Sequence, residues 1–208
     1  MNMVISGNHS LDQLQEWVTS KFNAVPNKDV VLPDLSKPAP PFTVGENLSK
    51  IVRFKPVKDE DRLTLFYILP NYQMKYKTKP LNYFSHLFGH EGENSLFSYL
   101  KEEDLIMTLS AGGDHEMDCF STFEIDMQLT AKGLKNYKQV LVAIFKYADK
   151  LFGVDKQPSQ AVFDEVKEVG KLKFNFLEKN DPMEDCIGHA RNMIRFKSDM
   201  DMKHLIRH

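Results

Sequence analysis

Residues 119–130 read Cys119-Phe120-Ser121-Thr122-Phe123-Glu124-Ile125-Asp126-Met127-Gln128-Leu129-Thr130. Cys119, Ser121, Phe123, Ile125, Met127 and Leu129 alternate with Thr122, Glu124, Asp126 and Gln128. This period of two sets one face of a strand on a core and the other in water. A sheet with one wet face is typical of antiparallel architectures whose helices gather on the dry side, so the stretch points to an α+β layer. The apolar run Ile106 to Leu109 lies upstream and is expected to pair with this strand.

Downstream, Thr130 caps a long helix with Leu134, Tyr137, Leu141, Ile144, Phe145, Ala148 and Leu151 on one face, closed by Gly153. Pro158-Ser159 opens a second helix and Asp181-Pro182 a third. Upstream, Lys79-Pro80 opens a helix with proline in its first turn, running to Gly89, and another begins at Ser95. Leu48 to Val57 and Leu63 to Leu69 read as strands joined by the charged turn 58–62. The second of these is apolar on both faces, which predicts a central strand. The five prolines Pro26, Pro33, Pro38, Pro40 and Pro41 exclude helix and central strand from a linker over 26–47. Before it, Met3-Val4-Ile5 is strand-like, and Ser10-Leu11-Asp12-Gln13 has capping-box spacing ahead of the helical set Leu11, Leu14, Trp17, Val18 and Phe22. A chain that opens almost inside a strand is expected to be a piece of a longer polypeptide.

The 208 residues, with 27 Lys+Arg against 29 Asp+Glu and 42% hydrophobic content, describe a globular chain of one domain, or one with an appendage. No run of five like charges offers the phosphate-neutralising stripe that nucleic-acid binding needs. No apolar stretch approaches a membrane span, and Met1 to Gly7 is too short and uncharged for a signal peptide. Cys119 and Cys186 are expected to be reduced thiols. The expectation is a cytoplasmic protein with neither nucleic acid nor membrane as partner.

Neither H-E-x-x-H nor H-x-x-E-H occurs. His86 and His90 stand four apart on a predicted helix, so both can project from one face. As a metal site they would need a third ligand, with Glu91, His115 and Glu116 the nearby suspects. As functional groups they can hydrogen-bond an incoming peptide. As bland surface residues they sit at the favourable end of a helix dipole. The residues taken alone favour the last reading, and no metal ligand is assigned. His204 and His208 repeat the spacing at the chain end and receive no role. His115-Glu116-Met117-Asp118 reads as a solvated acidic turn, and Cys119 as a small buried side chain. The glycines Gly89, Gly92, Gly112 and Gly113 match no phosphate-cradling pattern.

His86-Leu87-Phe88-Gly89-His90-Glu91-Gly92, followed by Ser95-Leu96-Phe97-Ser98-Tyr99-Leu100-Lys101, resembles a stretch of the insulinase (pitrilysin-type) family of zinc metallopeptidases. Collinear support comes from Met3-Val4-Ile5-Ser6-Gly7, Ile51-Val52 with Pro56-Val57-Lys58-Asp59, Thr108-Leu109 before Gly112-Gly113, and Leu129-Thr130 with Gly133-Leu134. Two departures stand out. Glu93-Asn94 occupies the place of the family's Pro-Gly, and the turn Ser110-Ala111-Gly112-Gly113 is one residue longer.

The resemblance implies a LuxS/processing-peptidase-like α+β metallopeptidase domain, incomplete at both ends. Residues 1–25 correspond to the last strand and helix of a preceding catalytic domain, 26–47 to a linker and 48–208 to the second, non-catalytic domain. The zinc of the parent enzyme is held by an H-x-x-E-H helix outside this chain, which would bind no metal and be inactive alone. The family uses this region as an exosite that anchors the N-terminus of a peptide substrate. On the matching positions His86, Gly89 and Glu91 would surround its amino group, while Leu109, Ser110 and Gly112 present backbone. The implied partners are peptide substrates and the remaining domains of the parent peptidase. The alternative is a free-standing peptide-binding or scaffold subunit that works with a separate catalytic chain. Independent hydrolysis would need a zinc site that the spacing does not supply.

Overall fold

The alternation at 119–130 becomes the middle of a three-stranded antiparallel sheet. The computed structural model describes residues 2–31, 33–34, 42, 44–58, 60–72, 75–153 and 159–196, with backbone alone for 115 and 116. Within it, β1 (Arg62–Leu69) and β2 (Ile106–Glu116) flank β3 (Ser121–Leu129) in the order β1-β3-β2. Pairing aligns Leu63 with Met127 and Leu109, Leu65 with Ile125 and Ala111, and Tyr67 with Phe123 and Gly113. These rows form the dry face, on which Ile125 and Met127 are buried almost completely. On the wet face the Arg62 guanidinium lies 3.1 Å from the Asp126 carboxylate, and the Thr64 hydroxyl donates to the same group at 2.7 Å.

Along β2 the dry-face residues shrink from Leu109 to Ala111 to Gly113. That taper seats α2 (Pro80–Gly89), and a Cβ placed on Gly113 would come within 3.1 Å of Leu81 Cδ1. Lys79 precedes α2 in a left-handed conformation with Pro80 in the first turn. The next helix, α3 (Leu96–Glu102), starts where Ser95 Oγ accepts from the Ser98 amide at 3.0 Å. It buries Leu96, Phe97 and Leu100 in the same core as Leu105 and Ile106. After β3 come α4 (Ala131–Lys135) and α5 (Tyr137–Phe152), which adds Val140 and Ile144 to that core. Each fully buried aliphatic side chain contributes about 1.5–3 kcal/mol relative to exposure. The last helix of this unit, α6 (Gln160–Asn175), has no fully buried residue.

The chain divides into two compact units, Leu35–Asn175, just described, and Met1–Asp34 with Phe176–His208. In the latter, α1 (Leu11–Phe22) is capped by Ser10 Oγ, which accepts from the Gln13 amide at 3.3 Å. The helix over Pro182–Arg195 is capped by the Asp181 carboxylate, which accepts from the Met183 amide at 2.8 Å. No described helix is long and apolar enough to cross a membrane.

The α+β architecture matches the expectation, but several local readings need correction. Leu48 to Val57 is no strand: apart from an isolated Val44–Leu48 bridge, it is exposed and unpaired with the sheet. Arg53 donates to the Tyr137 hydroxyl at 2.6 Å and lies over its ring, which ties this segment to the start of α5 instead of the edge of β1. Consequently β1 is an edge strand among the described residues, and its Phe66 is 61% exposed. Met3–Ile5 likewise lies outside any strand. The single helix expected over 130–153 breaks at Asn136, whose φ of −111° and ψ of 27° leave the helical range. Pro38, Pro40, Pro41, Pro158, His204 and His208 lie outside the described residues.

Candidate functional site

The C-terminal half of α2 and the outer edge of β2 form the candidate site. Among the described residues β2 has a strand partner on one side only, so its other edge carries backbone donors and acceptors open to pairing. The two elements lie close because side chains are small where they meet. A Cβ on Gly89 would sit 3.8 Å from the Ala111 amide nitrogen, and one on Gly112 would sit 3.7 Å from Ser85 Oγ. Ser85 is itself turned inward, donating to the Leu81 carbonyl at 2.7 Å.

Of the residues expected to act here, His86 and Gly89 occupy the last turn of α2, and exposed Glu91 follows in the turn beyond it. Leu109 is buried, so only its backbone can serve a ligand. Ser110, opposite Asp126, is exposed; Gly112, opposite Glu124, is half-buried. His90 is not helical: with φ −66° and ψ 133° it is the first extended residue after α2. Its ring nevertheless lies 5.7 Å from that of His86 and rests against Gly92, where an added Cβ would strike it. The arrangement thus places two imidazoles and a carboxylate-bearing turn at the end of α2, whose Gly89 lies beside Ala111 near the middle of β2. Together they can accept from an ammonium and extend a sheet onto a peptide.

The structure adds a group with no local signal in the sequence. Glu165 Oε1 of α6 stands 4.0 Å from His86 Nε2. The two are brought together by the packing of α6 beside α2, where the Tyr83 and Phe163 ring centroids are 6.3 Å apart. Ala111 was also unmarked, because its role is to be small. His115 and Glu116, considered as extra ligands, end up at the far end of β2. Among the described residues no group of three His, Cys, Asp or Glu side chains is placed to hold a metal ion. Among the described residues the donor set does not fit a zinc site. Cys119, read as a strand residue, instead lies in the turn before β3 as a half-buried free thiol.

The fold is an α+β layer whose strand β2 has an open edge among the described residues. Residues 1–169 match the family described as Peptidase M16 inactive domain, and the chain belongs to that family. It is 32% identical over 197 residues to nardilysin of Rattus norvegicus, covering 93% of this chain and 17% of the relative. It is 35% identical over 182 residues to insulin-degrading enzyme of Homo sapiens, covering 88% and 17%. The crystal structure of pitrilysin superimposes with a TM-score of 0.75 at 24% identity, over 96% of this chain and 20% of that one, and so shows the fold. The resemblance to the insulinase family therefore holds, and the chain spans about a fifth or less of the length of these relatives.

Proposed function

We propose that this chain is a non-catalytic wall and exosite segment of an insulinase-type zinc metallopeptidase, and that it anchors the amino terminus of a peptide substrate at the end of α2. The observation that carries this reading is that β2, paired on one side only among the described residues, runs beside Gly89, with His86 in the same turn of α2 and Glu91 two residues on. Glycine at position 89 lets a backbone approach, the Glu91 carboxylate receives the ammonium, and the strand edge supplies main-chain hydrogen bonds. A zinc ion held by other domains of the parent enzyme would supply the activated water. This chain's own part is positioning, because fixing one end of a peptide removes part of the entropic cost of presenting it elsewhere.

In this reading residues 1–25 complete a preceding catalytic domain, 26–47 link the two, and 48–208 belong to the second domain. The remaining domains of the parent peptidase are the protein partners. Two free thiols, Cys119 and Cys186, suit a reducing cytoplasmic setting.

The test is peptide binding to the 208-residue chain. Glu91→Ala is expected to weaken binding of a peptide with a free N-terminus about tenfold, the scale of one charge-assisted hydrogen bond, and to leave its acetylated form nearly unchanged. Equal loss for both forms refutes the assignment.

A further inference from the structure

The contact between His86 and Glu165 does little to hold α6 in place. Both side chains reach solvent, at 26% and 57% exposure, and a 4.0 Å ion pair in water contributes little to stability. The seat of α6 is set instead by the Tyr83–Phe163 ring contact and by Val162 and Val166, its half-buried residues. Yet this packing brings a carboxylate from a distant element to the imidazole at the end of α2. An α-ammonium, like that of lysine, presents three N–H donors. A single carboxylate has two oxygens and cannot meet all three, so a site for an amino terminus gains from an acceptor on a second element.

We infer that Glu165 is a second carboxylate for the α-ammonium of a bound peptide, brought beside His86 at the end of α2 by the docking of α6 and acting together with Glu91. This rests on the exosite reading given above and adds α6 to the residues that determine specificity. The site then selects for a free amino terminus from two elements, the turn after α2 and the flank of α6. The isosteric change Glu165→Gln keeps the side chain's shape, removes its charge and replaces one acceptor oxygen with an amide donor.

The experiment uses a twelve-residue peptide of Ala, Ser and Val with a C-terminal fluorophore, prepared with a free or an acetylated amino terminus. Both are titrated by fluorescence anisotropy against the wild-type chain, Glu91→Ala and Glu165→Gln. Glu165→Gln is expected to weaken the free-amine peptide about fivefold and to leave the acetylated peptide within about twofold, as loss of a charged acceptor requires. An unchanged free-to-acetylated ratio in Glu165→Gln, with a reduced ratio in Glu91→Ala, overturns this inference and leaves the exosite reading intact. Equal weakening of both peptides by Glu165→Gln also overturns it, since Glu165 would then act only by supporting α2. A wild-type chain that does not distinguish the two peptides overturns the exosite reading, and this inference with it.

Discussion

Asn94 has φ 62°, in the left-handed region that costs most side chains free energy and that asparagine and glycine tolerate best. Asparagine thus suits the turn between α2 and α3, where the resemblance expects a glycine. Asn94→Gly is therefore expected to leave stability within about 0.5 kcal/mol, whereas Asn94→Val should lower it by about 1–2 kcal/mol, read from urea unfolding midpoints. A valine variant as stable as wild type would show that the turn relaxes. Gly133 poses the opposite case, because space and not dihedral angle is decisive. A Cβ there would run into the Leu105 carbonyl, backbone that has nowhere to go. Gly133→Ala is expected to cost about 3 kcal/mol, at the upper end of overpacking losses.

At the scale of elements, Thr130 joins three pieces of backbone. Its hydroxyl accepts from the Gly133 amide at 2.9 Å, capping α4, and donates to the Asp104 carbonyl at 2.6 Å. Its own amide donates to Leu105 O at 3.1 Å. Thr130→Ala should therefore lower stability by about 1–2 kcal/mol without changing the denaturant slope, and Thr130→Ser should recover most of the loss. Failure of serine to rescue would assign the effect to packing of the methyl group. The helix starts were legible because each cap is written locally, in Ser10, Ser95, Thr130 and Asp181. The alternation of β3 was legible for the same reason. Strand partners are not local, which is why 48–57 was read as a strand. Its apolar residues satisfy the pattern, but Arg53 finds Tyr137 and draws the segment away from the sheet edge. The apolar outer face of β1, with Phe66, suggested a central strand, although only pairing decides that position. The α2 side of the candidate site could be found because His86, Gly89 and Glu91 are close in sequence. Glu165 could not, since only the docking of α6 brings it near.

At the scale of the whole molecule, the sheet's dry face and the helices over it share one core, so groups buried there report on the unit as a whole. Tyr67 on β1 and Tyr147 on α5 are both half-buried against this core, and burial raises each phenol above the ordinary value of 10.0. The direction sets the alkaline behaviour. As pH passes 10 the unfolded chain loses these protons first while the folded chain keeps them, so the folded state binds more protons and stability falls with rising pH. The loss ends once pH exceeds the folded values, and below the unfolded value the stabilisation is fully present. Tyr67 makes the cleaner probe, because Tyr147 also donates to the Leu87 carbonyl at 3.2 Å and its loss would remove that bond as well. Tyr67→Phe is expected to give a flatter decline of unfolding free energy between about pH 9 and about pH 11 than the wild type, with little change near neutrality. Urea titrations at a series of pH values measure this directly. An unaltered alkaline slope would mean that the β1 edge admits enough water to ionise the phenol in place, and that β1 is less firmly joined to the core than its pairing with β3 implies.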